Sequence, residues 1–285
     1  MCVGISILKM WGDNMEKIQR NERLAVIIKT LCDNPNKIFT LGYFSEMFGS
    51  AKSTISEDMD FLQKTFEKNS LGNICTISGA SGGVKFVPFM SQNEIQVTLA
   101  ELSKELSNPD RILPGGYLYV LDIIYNPEWV KKIAMMFASK FCNLELDYVI
   151  TVETKGIPLA FATAQYLDVP LVIVRHYNVA TDGASVNINY VSGSAKKIQT
   201  MVLPVKSLKK NSKILFIDDF MKGGGTSKGI IELANQFESE VVGIGVLIET
   251  NEPEKKLVDE YYSLVTLNTS MELQKDTEID IKPSY

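Results

Sequence analysis

The stretch at residues 213–226 constrains the fold of this chain most, because it joins an unbroken apolar run to two acids and a glycine-rich turn. Residues 214–217 are all apolar, which is typical of a parallel strand covered on both faces. Asp218 and Asp219 follow at once, and glycines at 223–225 then lead to Thr226 and a new amphipathic run. The pattern predicts a central strand, a loop and the start of a helix.

The chemistry of this stretch suits a phosphorylated sugar. Open α/β sheets bind ligands beyond the carboxyl ends of their strands, so Asp218 and Asp219 are placed to accept hydrogen bonds from a ribose diol. Backbone amides at a glycine-rich helix start can surround a phosphate. The alternative is a solvated strand end followed by a floppy turn. The combination of strand, acids, glycines and hydroxyl favours the binding site.

The same segment closely resembles the phosphoribosyl pyrophosphate (PRPP) motif of type I phosphoribosyltransferases, in which a strand, an acid pair and two hydrophobes precede Thr-Thr-Gly-x-Thr. Lys222 and Gly223 stand where the two threonines are usual, which argues against transferase catalysis. The resemblance implies that the acids hold the ribose near a possible Mg²⁺ and that the loop holds the 5′-phosphate. The residues it assigns to PRPP in this segment are Asp218, Asp219, Lys222, Gly223, Gly224, Gly225 and Thr226.

A second segment predicts another strand of the same domain. Residues 147–152 are largely apolar and lead through a turn at 153–158 into a helix rich in small residues. In the resembling transferases this turn holds the pyrophosphate, with charge from Lys155 and close backbone approach at Gly156. An ordinary strand-to-helix turn with a surface lysine is the alternative. Apolar runs at 169–174 and 241–248 complete an alternation that predicts a mainly parallel sheet.

The front of the chain predicts a different domain. Apolar residues at helical spacing over 23–31 and 41–48 indicate two helices, and a third begins near residue 50. This layout is typical of a helix-turn-helix, in which the start of the last helix meets DNA. Strand-like pieces at 73–77 and 83–87 would form the wing of a winged helix.

Charge supports a DNA contact only weakly. Residues 15–90 hold nine lysines or arginines against eight aspartates or glutamates, so most of the net charge of −5 lies further along the chain. A helical dimerisation domain is the alternative. The candidates for the groove are Lys52, Ser53, Thr54 and Ser56, and those for phosphates are Arg20, Arg23 and Lys85.

Both halves together resemble the purine operon repressors of Gram-positive bacteria, and the chain is identified as a member of that family. The stretches that carry the resemblance are 50–58, 79–85, 108–117, 189–194 and 218–226. It implies operator DNA as partner, PRPP as the inducer that weakens DNA binding, and no catalysis. Arg111 and Tyr117 lie in the linker, where they either reach the effector or pack the dimer. Pairing of winged-helix repressors on two-fold operators predicts a homodimer.

The domains are thus predicted at 15–88 for the winged helix and 89–285 for the α/β phosphoribosyltransferase-like effector domain, with an edge strand near the end. The codons just upstream of Met15 can spell a purine-rich sequence, as a ribosome-binding site would. Residues 1–14 are therefore predicted to be a start-site extension and are expected to be disordered. Two rivals remain. One is an active purine phosphoribosyltransferase, and the other is a repressor that senses guanosine tetraphosphate as well as PRPP or instead of it.

Bulk properties predict a cytoplasmic regulator without a membrane segment. The four cysteines are scattered without metal-ligand spacing, so we expect reduced thiols. His176 is the only histidine, which excludes a histidine-based triad and a histidine-rich metal site within this sequence. No cofactor is expected beyond PRPP itself, accompanied by Mg²⁺.

Overall fold

The computed structural model describes residues 18–79, 82–114, 117–178, 180–191, 198–268 and 281–284. The chain divides into two compact units between Phe89 and Met90. The predicted start-site extension at 1–14, the tip of the predicted wing at 80–81 and part of the 189–194 stretch lie outside the described residues.

The first unit has the predicted order of three helices and a hairpin. Its elements are α1 (Arg20–Asp33), α2 (Leu41–Phe48), α3 (Lys52–Lys68), β1 (Asn73–Ile77) and β2 (Gly83–Val87). The two strands pair antiparallel, and Phe39 forms a further antiparallel bridge with Val84, near the loop end of the hairpin. The threonine before α2 accepts a hydrogen bond from Tyr43, and Gly49 ends that helix with φ 57°, as a left-handed C-cap should.

A single apolar core fixes this arrangement. Ile55, Met59, Leu62 and Phe66 of α3 are all buried, as the helical spacing of the sequence predicts. They pack with buried residues of α1, α2 and the hairpin. The unit is therefore a winged helix.

The second unit alternates strands with helices. Its elements in chain order are α4 (Gln92–Leu106), β3 (Ile112–Leu113), β4 (Tyr117–Leu118), α5 (Leu121–Ile124), α6 (Pro127–Phe141), β5 (Tyr148–Val152), α7 (Ile157–Leu167), β6 (Leu171–Val174), β7 (Ser185–Val191), β8 (Ile198–Pro204), β9 (Lys213–Met221), α8 (Gly225–Gln236), β10 (Glu240–Thr250), β11 (Tyr262–Leu267) and β12 (Ile281–Pro283).

Six strands form one sheet in the order β12-β11-β10-β9-β5-β6. All neighbours pair parallel except β12, which lies antiparallel on β11 at the edge. The prediction of an α/β fold with a mainly parallel sheet is confirmed. β9 is central, and its successive residues Leu215 and Phe216 enter the cores on opposite faces of the sheet. This burial on both faces explains the unbroken apolar run.

Two details differ from the sequence prediction. β9 continues to Met221, so the strand extends beyond the apolar run at 214–217 and the acid pair lies within its last residues. A separate antiparallel hairpin of β7 and β8 packs against α8, and the sequence alone gave no role to it. Among the described residues, no helix is long and apolar enough to cross a membrane. Cys32, Cys75 and Cys142 are free thiols.

Candidate functional site

The glycine-rich loop ends where α8 begins, and its backbone geometry requires glycine. Gly224 precedes the helix with φ 79°, a left-handed conformation in which a side chain is strained. A Cβ at Gly224 would also lie 3.2 Å from the amide nitrogen of Leu257. No side chain caps the start of α8, so its first amides are available to an anion.

The segment from Thr250 to Val258, here called the brace, packs against this loop and hydrogen-bonds to it. The amide of Leu257 donates to the carbonyl of Gly223 at 2.9 Å. Lys256 is buried, and its Nζ donates to the carbonyl of Thr250 at 2.6 Å. Burial lowers the pKa of this lysine. The loop conformation is therefore set by contacts with a segment about thirty residues further along the chain.

The two acids occupy different environments at the carboxyl end of β9. Asp218 is buried, and its Oδ1 accepts a hydrogen bond from the amide of Asp219 at 3.0 Å. Burial raises the pKa of Asp218 well above its ordinary value, and the neighbouring acid raises it further. Burial also raises the pKa of Asp219, although the Asp218 side chain and the charge of Lys155 lower it. A ligand that stabilises the ionised forms of these two carboxyl groups would offset the effect of their burial.

The predicted pyrophosphate turn reaches the acid pair. A Cβ at Gly156 would lie 2.4 Å from Thr151 Oγ1 and 3.2 Å from Asp218 Oδ1, so only glycine fits here. Lys155 is exposed and its charge acts on Asp219. The fold thus brings Lys155, Gly156 and both acids together. The glycine loop continues directly from the strand that carries the acids, and the side chain of Lys222 is exposed there.

Three side chains near this site were given no role from the sequence. Tyr190 of β7 is buried against α8, and this burial raises its pKa. Glu153 accepts the backbone amide of His176 at 2.7 Å, and the ring Nδ1 of His176 lies 3.0 Å from the carbonyl of Thr200 in β8. The hairpin therefore contacts the helix that follows the glycine loop, and it is linked to Glu153 of the other predicted ligand turn through His176.

The structure corrects the assignment of Arg111 to the effector. Its guanidinium is buried, and it donates to both carboxylate oxygens of Asp122, to Glu105 and to the carbonyl of Tyr119. These bonds occupy the side chain within the second unit, where it holds α4 to the segment that begins α5. Tyr117 is 69% exposed, and its contact with an effector stays a prediction.

The candidate DNA surface is the start of α3. Lys52 and Ser53 are exposed there, and Thr54 and Ser56 are half-buried. Lys85 of the hairpin is half-buried and donates to Asn36 at 3.0 Å. These five residues stay predicted DNA contacts.

The structure also corrects the assignment of Arg23 to DNA phosphates. Arg23 is buried in an ion pair with Asp58 of α3, which is itself 1% exposed. Arg20 bonds the other oxygen of Asp58 at 3.0 Å, stacks over the Phe61 ring and remains 56% exposed. Arg20 can therefore still reach a phosphate, whereas Arg23 cannot without leaving the core of the domain.

Fold and site together define a winged helix joined to a domain of the phosphoribosyltransferase type. The family model described as the N-terminal domain of bacterial purine repressors matches residues 19–88, and the phosphoribosyl transferase domain model matches residues 121–280. The adenine phosphoribosyltransferase of Rhodothermus marinus shares this second fold, with a TM-score of 0.50 and 22% identity over 59% of this chain and 97% of that one.

Two full-length relatives extend the match to both domains. The purine biosynthesis transcriptional repressor PurR of Bacillus subtilis is 49% identical over 92% of each chain. The purine biosynthesis transcriptional activator PurR of Lactococcus lactis is 38% identical over 88% of this chain and 93% of that one. The chain belongs to the PurR family of bacterial purine repressors, which confirms the resemblance seen in the sequence.

Proposed function

We propose that this protein represses purine biosynthesis and transport genes by binding operator DNA and leaves that DNA when PRPP binds its second domain. One observation carries the proposal. An acid pair, a glycine loop at a helix start and a lysine-glycine turn converge at one edge of a parallel sheet, in a chain whose first unit matches the bacterial purine repressor domain.

Each part of PRPP has a matching group in the proposed site. Asp218 and Asp219 accept hydrogen bonds from the ribose hydroxyls, and the ligand's diol compensates their desolvation. Lys222 and the amides from Gly223 to Thr226 hold the 5′-phosphate, supported by the positive end of α8. Lys155 and Gly156 face the pyrophosphate, where the lysine supplies charge and the glycine lets the backbone approach.

The residues present suit a magnesium ion that arrives with the pyrophosphate. Within the part of the chain that the structure describes, no group of three or more His, Cys, Asp or Glu side chains is placed to hold a metal. Mg²⁺ commonly takes one or two carboxylates and completes its shell with phosphate oxygens and water. The buried pair at Asp218 and Asp219 fits that use, and no other cofactor is proposed.

We propose that the domain senses PRPP and does not transfer its ribosyl group. Lys222 and Gly223 replace the usual threonines of the motif, which supports this view. The test is release of pyrophosphate from PRPP with adenine, guanine, hypoxanthine or xanthine. Base-dependent release at an enzymatic rate would support the rival function, a purine phosphoribosyltransferase.

The DNA-binding form is proposed to be a cytoplasmic homodimer. A winged helix that reads one half-site usually pairs with a second copy on a two-fold operator. Light scattering at working concentration tests this directly, and a monomer under conditions of tight DNA binding would contradict it.

The direction of regulation is the finer part of the proposal, since the relatives include both a repressor and an activator. The greater identity to the repressor supports repression rather than activation. The test is fluorescence anisotropy on a labelled duplex from the purine operon control region of the same genome, at fixed salt, titrated with PRPP and Mg²⁺. Release supports an inducer. Unchanged or tightened binding contradicts it.

Guanosine tetraphosphate is the alternative ligand, because its pyrophosphates offer the same chemistry to the same turns. Calorimetry with each ligand separately, and then in competition, distinguishes the two. We expect PRPP to bind and to release DNA. A protein that binds only guanosine tetraphosphate would keep the regulatory function and lose the proposed effector.

A further inference from the structure

Glu153 is the half-buried acid at the start of the predicted pyrophosphate turn, and the proposed function gives it no role. β5 and β6 pair parallel up to Val152 and Val174, so the next residues in register are Glu153 and Arg175. The amide of Glu153 donates to the carbonyl of Val174 at 3.0 Å, as that register requires. The hydrogen bonds of the sheet therefore reach the first residue of the turn.

The next hydrogen bond in this series is made by a side chain. In a regular parallel pair the backbone carbonyl of Glu153 would accept the amide of His176. That amide has a single proton to donate, and it goes to the carboxylate of Glu153 at 2.7 Å. The carboxylate thus takes the place of the backbone carbonyl of its own residue, while the main chain leaves the sheet to form the turn.

The segment that receives this side chain is itself fixed. Arg175 and Val202 of β8 exchange both backbone hydrogen bonds, at 3.0 and 2.7 Å. The ring Nδ1 of His176 carries a proton, because its partner, the carbonyl of Thr200, can only accept. His176 is therefore held to β8 by its ring while its amide holds Glu153.

The residues assigned to the pyrophosphate lie directly after this bond. Thr154 and Lys155 are exposed in the turn, and Gly156 is buried beside Asp218. Glu153 fixes the start of the turn, and α7 begins directly after Gly156. A backbone that is ordered before its ligand arrives binds that ligand more tightly, because less conformational entropy is lost on binding.

We infer that Glu153 is a positioning residue for the pyrophosphate turn, in which its carboxylate replaces a backbone acceptor and orders the turn before the effector binds. The role requires an acceptor oxygen and no charge. It rests on the proposed function, since it requires the pyrophosphate of PRPP at Lys155 and Gly156. Glu153 then sets the affinity for one end of the effector without contacting it.

The experiment compares Glu153→Ala and Glu153→Gln with the wild-type full chain by calorimetry. Magnesium pyrophosphate probes this turn, ribose 5-phosphate probes the glycine loop, and PRPP occupies both. We expect Glu153→Ala to bind magnesium pyrophosphate and PRPP about fivefold more weakly, the worth of one hydrogen bond, and to bind ribose 5-phosphate as wild type does. Glu153→Gln keeps the acceptor and should bind all three probes as wild type does. Glu232→Ala, at an exposed glutamate of α8, is the matched control for a lost charge and should also behave as wild type.

Hydrogen exchange of the peptide that covers the turn, read by mass spectrometry in the ligand-free full chain, tests the ordering itself. Exchange should be faster than wild type in Glu153→Ala and unchanged in Glu153→Gln. Wild-type exchange in Glu153→Ala would overturn the inference.

The affinities separate this role from its alternatives. An equal loss of pyrophosphate affinity in Glu153→Ala and Glu153→Gln would overturn the inference, because it would assign the charge to a direct contact with the ligand or its metal ion. A loss in Glu153→Ala that extends to ribose 5-phosphate would also overturn it, since the effect would then be general. Failure of the wild type to bind either PRPP or magnesium pyrophosphate would overturn the proposed effector instead, and this role with it.

Discussion

Arg23 of the first helix is buried against Asp58 of α3, so an ion pair lies inside the winged-helix unit. The two residues are 35 positions apart, and the pair ties α1 to the helix that carries the predicted DNA contacts. Arg20 bonds the same carboxylate from the surface. One acid on α3 therefore orients two arginines with different surroundings.

This difference predicts unequal effects of two matched substitutions. Arg23→Ala leaves a buried carboxylate short of a partner, which costs about 3–5 kcal/mol of stability. Arg20→Ala removes a half-exposed partner and should cost about 1 kcal/mol or less. Hydrogen exchange of the α1 and α3 amides in the full chain, read by mass spectrometry, measures both. Equal losses of stability in the two variants would mean that the buried ion pair contributes no more than the exposed one.

In DNA binding the two variants should rank in the opposite order, with the larger effect from Arg20→Ala. Arg20→Ala should weaken binding to any duplex and reduce the slope of log affinity against log salt by about one, as expected for one lost phosphate contact. Arg23→Ala, assayed at low temperature where it stays folded, should keep the wild-type slope. A reduced slope for Arg23→Ala would restore the phosphate role that its burial argues against.

The buried acid pair predicts a dependence of stability on pH in the absence of effector and Mg²⁺. Burial raises the folded-state pKa of Asp218 above its ordinary value of 3.8, so the unfolded chain releases that proton first. Wild-type stability is then lost as pH rises from 3.8 towards the folded pKa. Asp218→Asn cannot ionise, so its melting temperature should exceed that of wild type by a margin that grows from pH 4 to pH 7.

Fluorescence of Trp129, which lies in the second unit, follows this melting in a Trp11→Phe background. The gain should be about 2–4 °C for each kcal/mol of stabilisation. A constant difference across this pH range would show that Asp218 does not titrate there. A margin that shrinks as pH rises would contradict the sign of the pKa shift.

A functional counterpart is the double variant Asp218→Ala with Asp219→Ala. It should bind the operator as wild type does and show no release by PRPP, because the ribose loses both acceptors. Anisotropy with and without PRPP measures both properties. A wild-type response to PRPP would remove the acids from the proposed site, and loss of DNA binding would assign them to folding.

Alanine substitutions at two glycines of nearly equal φ distinguish the cost of backbone strain from the cost of steric crowding. Gly183→Ala, at φ 76° with nothing within 4 Å of the new Cβ, should cost about 1–2 kcal/mol. Gly224→Ala, at φ 79° with the Leu257 amide 3.2 Å away, should cost more and should also weaken PRPP binding. Denaturant unfolding and calorimetry measure the two effects. Equal losses of stability in the two variants would mean that the brace shifts to accommodate the extra methyl group at residue 224.

The sequence predicted those parts of the molecule that depend on local pattern. The unbroken apolar run before Asp218 placed a central strand, and the wing strands were found at the residues expected, Asn73–Ile77 and Gly83–Val87. The approach of Lys155 and Gly156 to the acids was implied by the resemblance to the transferases, and it agrees with the rule that ligands bind beyond the carboxyl ends of parallel strands.

What the sequence missed depends on partners far along the chain. Arg23 and Arg111 looked like surface cations, since a charged residue is rarely buried unless it is paired, and their partners Asp58 and Asp122 could not be recognised by spacing. No local sequence pattern predicts the brace, because the burial of Lys256 and the bond of Leu257 to Gly223 arise only in the folded domain. Tyr190 lay in a stretch that marked the family, yet its place against α8 required the hairpin to be folded.

The short β12 has a consequence for the sheet that carries the effector site. Residues Ile281–Pro283 pair antiparallel with β11, and the amide of Ser284 donates to the carbonyl of Leu264. Without these bonds, β11 would present unpaired backbone and buried apolar side chains such as Val265 at an open edge, where another chain can add as a strand. Three residues of sequence thus shield this edge of the sheet from aggregation, and an affinity tag or truncation that disturbs them should reduce solubility before it alters any binding site.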